Sequence, residues 1–252
     1  MFRIRIQNKK KCIWYCSAVV SFLLFLLLLG WTNHLANTQD AQQMAGRWSE
    51  KKDVAQVSCF FSSKAEVTED TIQSFEYSLK NVLQEASITE TSENPSARLW
   101  VDAYSADGKI TLVNGRNTLD ANAIGIGGDF FLFHPLKLIT GSYFSGNDLM
   151  QDYCIIDQDA AWQLFGSNDV VGMTVYIGNV PHIVTGVVRR PQGRMEKAAG
   201  LTSTVVYVSY ETLEAYGTNN GINHYEIVMP NPVDEFAYGK VKEGIGIDEK
   251  NV

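Results

Sequence analysis

The 252-residue chain has four cysteines, four histidines and no surplus of basic residues, and each shortage removes a class of function. Cys12 and Cys16 lie in or beside a long apolar run, so no disulfide framework is left to staple an exported body. Cys59 and Cys154 remain, both in apolar, strand-like runs. Their separation along the chain does not report whether their Cβ atoms face each other, so one bridge and two buried thiols both stay open. His34, His134, His182 and His224 are scattered, without an H-E-x-x-H or a second ligand at helical spacing, and no zinc site is expected. His134 and His182 read as satisfied surface or rim histidines.

No G-x-x-x-x-G-K-[ST] loop occurs, so the chain does not by itself split ATP in the P-loop manner. No G-x-S-x-G elbow occurs either. Gly125, Gly127 and Gly128 resemble a dinucleotide loop only superficially. The third glycine is misplaced and phenylalanines follow where a helix should open, which predicts a tight bend between strands. Asp157 and Asp159 resemble a carboxylate pair, but Asp157 is better used as a helix cap, and acids two apart on a helix face apart. Catalytic, cofactor-binding and metal-ligating residues are therefore none, and no cofactor is expected.

The formal charge is −7, and the first eleven residues carry five positive charges and no acid, which leaves −12 on the rest. A body so acidic is repelled by phosphate backbones, so nucleic acid is excluded as a partner.

Against these absences stands one abundance. Residues 12–31 (CIWYCSAVVSFLLFLLLLGW) contain no charge and at 1.5 Å per helical residue span roughly the 30 Å hydrocarbon core of a bilayer. Arg3, Arg5, Lys9, Lys10 and Lys11 precede it, so the positive-inside bias places residues 1–11 in the cytoplasm and the main body outside, anchored in the cell membrane. Trp14, Tyr15 and Trp31 suit the two headgroup layers. A cleaved signal peptide fits less well, because the run is long and leaves through Gly30, Trp31, Thr32 and Asn33 rather than a small-x-small site.

Residues 32–52 are mostly polar, with Leu35, Met44, Ala45 and Trp48 at roughly helical intervals, and are expected to continue the helix as a stalk. Residues 54–61 alternate as a strand. Thr68, Glu69 and Asp70 open a helix with a cap oxygen and two acids, with Ile72, Phe75, Leu79, Val82 and Leu83 as its apolar stripe. Residues 98–105 and 109–114 flank Ala106-Asp107-Gly108, which predicts a tight hairpin. A short helix follows Asp157, with Ala160, Ala161, Leu164 and Phe165 inward and Gly166 as its stop. A second hairpin turns at Gly178-Asn179, and 204–210 and 224–230 read as strands around a helix near 211–216. The class is α+β: an N-terminal transmembrane helix and stalk, then a mixed, mostly antiparallel extracytoplasmic domain of one body or two subdomains.

The block from Gly128 to Arg190 carries a specific pattern. Phe130-Phe131 is followed by Leu138-Ile139-Thr140-Gly141-Ser142-Tyr143-Phe144 with Asp148, then Ala160-Ala161 and Leu164-Phe165-Gly166. Next come Asp169-Val170-Val171-Gly172, Val175-Tyr176-Ile177-Gly178 and Ile183-Val184-Thr185-Gly186-Val187-Val188. In order and spacing these residues resemble the MacB-type periplasmic core domain of ABC transporter permeases, the MacB/FtsX superfamily. Val206 to Tyr210 resembles that family's later strand entering a helix. Ser142 stands where the family usually has arginine, and Val170 and Met173 replace its usual proline and lysine, which points to a divergent branch.

The resemblance implies a permease subunit that transmits ATP-driven conformational change across the membrane for export, extraction or signalling. Hydrolysis is then expected in a separate partner subunit or domain. The implied partners are a cytoplasmic ABC ATPase subunit, the lipid bilayer and a second permease copy. The implied division is a cytoplasmic N-terminus (1–11), a transmembrane helix (12–31), a helical stalk (32–52), the MacB-like core domain (53–230), and a C-terminal segment (231–252) leading toward further membrane helices. The alternative is a single-span, membrane-anchored binding or sensing module without transport.

Overall fold

A computed structural model describes residues 9–49, 53–89, 98–190, 193, 194, 198 and 203–246. The chain divides into two compact units, 1–43 and 44–252. The first is helix α1, Lys9–Asn37, with a 3-10 turn over Asp40–Gln42. Its stretch Ile13–Leu35 is long and apolar enough to cross a membrane. Apolar side chains cover every side of it rather than one stripe, and Phe22, Leu27 and Trp31 are all exposed. A helix that is apolar all round needs an apolar surrounding. The expected stalk is not one continuous helix. After the 3-10 turn comes a separate five-residue helix, α2 (Met44–Trp48), whose Met44, Ala45 and Trp48 already belong to the core of the second unit.

That unit is built on one ten-stranded mixed sheet. Strand β1 (Val54–Phe60) is followed by α3 (Glu69–Glu85), β2 (Val101–Asn114), β3 (Asn117–Gly128), α4 (Phe130–Phe133) and β4 (Leu138–Gly141). Then come β5 (Tyr153–Asp157), α5 (Gln158–Phe165), β6 (Thr174–Ile177), β7 (Val180–Val188), β8 (Val205–Ser209), α6 (Tyr210–Tyr216), β9 (Thr218–Asn219), β10 (His224–Pro230) and α7 (Phe236–Ile245). All strand pairs are antiparallel except β3 with β8 and β5 with β7.

Six strands close on themselves. β2 pairs β3, β3 pairs β8, β8 pairs β5, β5 pairs β7, β7 pairs β6, and β6 returns to β2 through Leu112↔Ile177 and Val113↔Tyr176. Alternation along each strand sorts side chains into two cores. Cys154 and Ile156 enter one core with Leu112, Val175, Ile177, Val184, Val206 and Val208, while the intervening Ile155 joins Val101, Ile126, Phe133 and Val228 in the other. Two cores share this sheet within a single compact unit, so the option of two subdomains is not taken. Outside the ring, β10 lies against the first half of β2 and β1 lies on β10. Helix α3 covers that flank with Ile72, Phe75, Leu79 and Leu83 buried.

Several local expectations are corrected. No hairpin turns at Asp107-Gly108. β2 runs straight through it and the turn comes at Gly115, φ +59°, where β2 meets β3. Gly108 is needed for close approach: a Cβ there would stand 2.4 Å from the Thr218 carbonyl oxygen and 2.9 Å from Leu213 Cδ1. Gly125, Gly127 and Gly128 are likewise strand residues rather than a bend, and the short helix α4 does open after them. Thr68 precedes α3 but its side chain makes no capping bond, pairing instead with Thr71 Oγ1 at 3.2 Å. The C-terminal segment, for which no element is expected, contains α7, whose buried Ala237, Val241 and Ile245 recur every fourth residue. By contrast, the second hairpin turns at Gly178-Asn179, both at positive φ. Asp157 accepts from Ala160 N at 2.7 Å, and Gly166 ends α5 in the left-handed region.

Candidate functional site

Glu69, Gln73, Glu76 and Lys80 recur along α3 at helical spacing, beside its buried stripe rather than within it. They face β2, whose Asp102 and Tyr104 lie two residues apart and therefore on one side of the strand. With Ile88, Leu99, Trp100 and Arg98 these groups enclose a cavity of about 580 Å³, within the size range of small-molecule sites.

The cavity floor is electrostatically crowded. Burial holds the Asp102 carboxyl well above the usual carboxylate range, and the charge and hydrogen bond of Glu76 push it further the same way. The Tyr225 hydroxyl donates to Asp102 Oδ2 at 3.1 Å, which acts in the opposite direction but does not prevail. Tyr225 is itself fully buried, edge-on to Phe75 at 5.9 Å, and burial together with the Asp102 charge raises its own pKa. Tyr104 is raised in the same way, by burial and then by Glu69. Arg98, at the mouth, is engaged by Asp129 at 2.6 Å, and Lys80 is exposed. At the floor Asp102 thus lies against the charge of Glu76 and beneath the Tyr225 hydroxyl.

Several polar groups elsewhere in the body are matched, although Asp152 Oδ1, Asn168 Oδ1 and Asn223 Oδ1 are buried without a hydrogen-bond partner. Asp157 and Asp159, expected to face apart, meet on one guanidinium: Arg190 Nη2 reaches Asp157 Oδ2 at 2.8 Å and Nη1 reaches Asp159 Oδ2 at 2.5 Å. The helical spacing argument failed because Asp157 is the cap, outside the helix. Its Oδ2 also accepts from Val205 N at 3.1 Å. His182, expected at a surface or rim, is buried. Its Nδ1 lies 3.0 Å from the Val180 carbonyl and its Nε2 3.1 Å from Thr212 Oγ1, and burial lowers its pKa. His134 sits half-buried with Nε2 2.5 Å from Glu226 Oε2, and Ser58 Oγ donates to Glu226 Oε1 at 2.9 Å. His224 packs edge-on against Phe60, and His34 is exposed on α1. Cys59 and Cys154 are both free thiols. Burial, aided by the Glu226 charge, pushes Cys59 up to about 11, and burial alone pushes Cys154 up to about 12. Among the described residues no three His, Cys, Asp or Glu side chains gather as a metal site.

Sequence reasoning missed the cavity. Its available signal was Glu69, Gln73, Glu76 and Lys80 flanking an apolar stripe, which reads equally as a solvated helix face until β2 is placed opposite.

The profile of the MacB-like periplasmic core domain matches residues 20–249. The macrolide export ATP-binding/permease protein MacB of Pasteurella multocida is 31% identical over 98 residues, covering 38% of this chain and 14% of that protein. Its counterpart in Chromobacterium violaceum is 31% identical over 96 residues, covering 37% and 14%. The matches thus span about one seventh of these relatives' length. Among solved structures, the extracellular domain of the ABC-type transporter YknZ from Gram-positive bacteria overlays 77% of this chain and 96% of its own at 18% identity and a TM-score of 0.47. The periplasmic region of MacB from Actinobacillus actinomycetemcomitans overlays 60% and 71% at 22% identity and a TM-score of 0.44. With a family match running from the apolar helix to the end of α7, this chain belongs to the MacB-like periplasmic core domain family of ABC transporter permeases.

Proposed function

We propose that the chain supplies the first membrane helix and the extracytoplasmic domain of an ABC transporter permease, and that it passes on motion driven by ATP hydrolysed elsewhere in the assembly, in a partner subunit or domain. α1 crosses the cell membrane with its basic end in the cytoplasm, and the acidic body lies outside. The observation that carries this reading is the continuity of the family match from residue 20, within the apolar helix, through the folded body.

Two structural features support it. The body begins at α2, whose Met44 and Trp48 are set into the second core, so force arriving along the chain reaches packed side chains at once. β1 then starts beside the end of β10, with Val54 opposite Pro230 and Asn231 N bonded to the Asp53 carbonyl at 2.8 Å. The start of β1 and the end of β10 therefore share one border of the sheet, and load on β1 is distributed over seven paired residues.

Purification of the full-length gene product with its ABC ATPase, reconstituted in lipid nanodiscs, tests the reading. The expected result is a stable complex in which hydrogen exchange of β1 and β10 differs between the ATP-bound and nucleotide-free states. Absence of any ATPase association, with exchange indifferent to nucleotide, overturns it. A second permease copy is expected in the same complex.

A further inference from the structure

We propose that the cavity between α3 and β2 is a binding site for a small organic ammonium ion with an apolar, preferably aromatic, body. The argument is one of shape and sign together. Ile88, Leu99, Trp100 and Tyr104 supply an apolar and partly aromatic part of an otherwise polar lining that includes the acids Glu76 and Asp102. Those two acids are held against each other, and Asp102 Oδ2 accepts from the Tyr225 hydroxyl at 3.1 Å. Two cationic side chains line the cavity, Arg98, which pairs with Asp129 at 2.6 Å, and the exposed Lys80, and among the described residues neither forms an ion pair with Glu76 or Asp102. An entering ammonium group would relieve the repulsion between the two acids, and its carbon body would replace water against Trp100, where an aromatic face also attracts a cation. A neutral ligand of the same shape gains only the second of these terms, and an anion is refused by the floor. The site stands apart from the proposed role in transport: it asks only that the ectodomain bind such an ion, whatever the membrane helix does.

The experiment is calorimetric titration of the full chain in detergent with 2-phenylethylamine, which is cationic at pH 7.5, and with 2-phenylethanol, its neutral analogue. The amine is expected to bind at least about tenfold more tightly than the alcohol. Glu76→Gln and Asp102→Asn should each weaken the amine by about tenfold and leave the alcohol unchanged. Equal binding of amine and alcohol overturns the proposal, as does amine binding that ignores both acid substitutions while the thermal transition shows the variants folded. An ectodomain that binds the amine but associates with no ATPase keeps this site and sinks the transport reading; the reverse outcome does the opposite.

Discussion

The six-stranded ring and the flank beside it use buried polar groups in opposite ways. In the ring, the buried carboxylate of Asp157 is neutralised by Arg190 and holds the N-terminus of α5, and His182 has partners on both ring nitrogens. In the flank formed by α3, β10 and the first half of β2, Asp102 is set against another acid and against a phenol that is itself hard to ionise. Matched groups define a frame. Mismatched groups raise the energy of the unliganded state, and folded proteins retain such conflicts mainly where something binds or moves. The motif block from Gly128 to Arg190 builds much of the ring, whereas Glu69, Glu76 and Asp102 of the cavity lie outside that block.

The contrast predicts unequal responses to substitution. Arg190→Gln leaves the Asp157 carboxylate buried beside too little positive charge and is expected to destabilise the body by about 4 kcal/mol in denaturant titration, with most of the loss recovered on adding Asp157→Asn. A loss below about 1 kcal/mol would show that the ring does not depend on this pair. Ile156→Ala removes a fully buried ring side chain and should cost about 3 kcal/mol by the same measurement. A collapse of the surrounding strands that absorbs the void would reduce this cost.

The two regions should also answer pH with opposite sign. His182 has a folded pKa below its ordinary 6.5, so it folds best neutral. Its contribution is complete above pH 6.5 and is lost as pH falls toward the lowered value. Asp102 has a folded pKa above its ordinary 3.8, so its contribution is present below pH 3.8 and is lost as pH rises through the raised value. Asp102→Asn should therefore stabilise the body by about 1 kcal/mol at pH 8 and by much less at pH 4, whereas His182→Gln should flatten the acid limb of the stability curve near pH 6. An Asp102→Asn gain that does not depend on pH would sink the account of the flank. The same substitution is expected to weaken ammonium binding, so stability and binding should move in opposite directions.

The smallest effect concerns the two thiols, one from each region. Cys59, half-exposed on β1, should react slowly with a maleimide at pH 8, and Cys154, fully buried in β5, only on the timescale of global unfolding. Equal rates would mean that the flank opens no more readily than the ring.

Much of this frame is legible in the amino-acid order because it depends on local chemistry. The paired positive φ of Gly178-Asn179, the oxygen of Asp157 one turn before Ala160 N, and the left-handed Gly166 each act within a few residues. Where local chemistry was overruled, a distant partner did it. Asp107-Gly108 has the composition of a turn, but Leu213 and Thr218 approach Gly108 so closely that the glycine serves a straight strand instead. Asp157 and Asp159 diverge by helix geometry, and a residue more than thirty positions away gathers both. α7 escaped notice because its stripe is only three residues, meaningful once α3 is there to cover it.

By itself the sequence determined a membrane-length apolar helix and an acidic α+β body, because each follows from composition or from spacing within one element, while the motif block from Gly128 to Arg190 carried the resemblance to a permease ectodomain. Closure of the strands into a ring, the Arg190 clamp and the acid-floored cavity were decided by tertiary structure alone. They depend on which side chains from distant segments end up within a few ångströms of each other, and the strength of an ionic contact is set by that distance and by how much water is excluded around it.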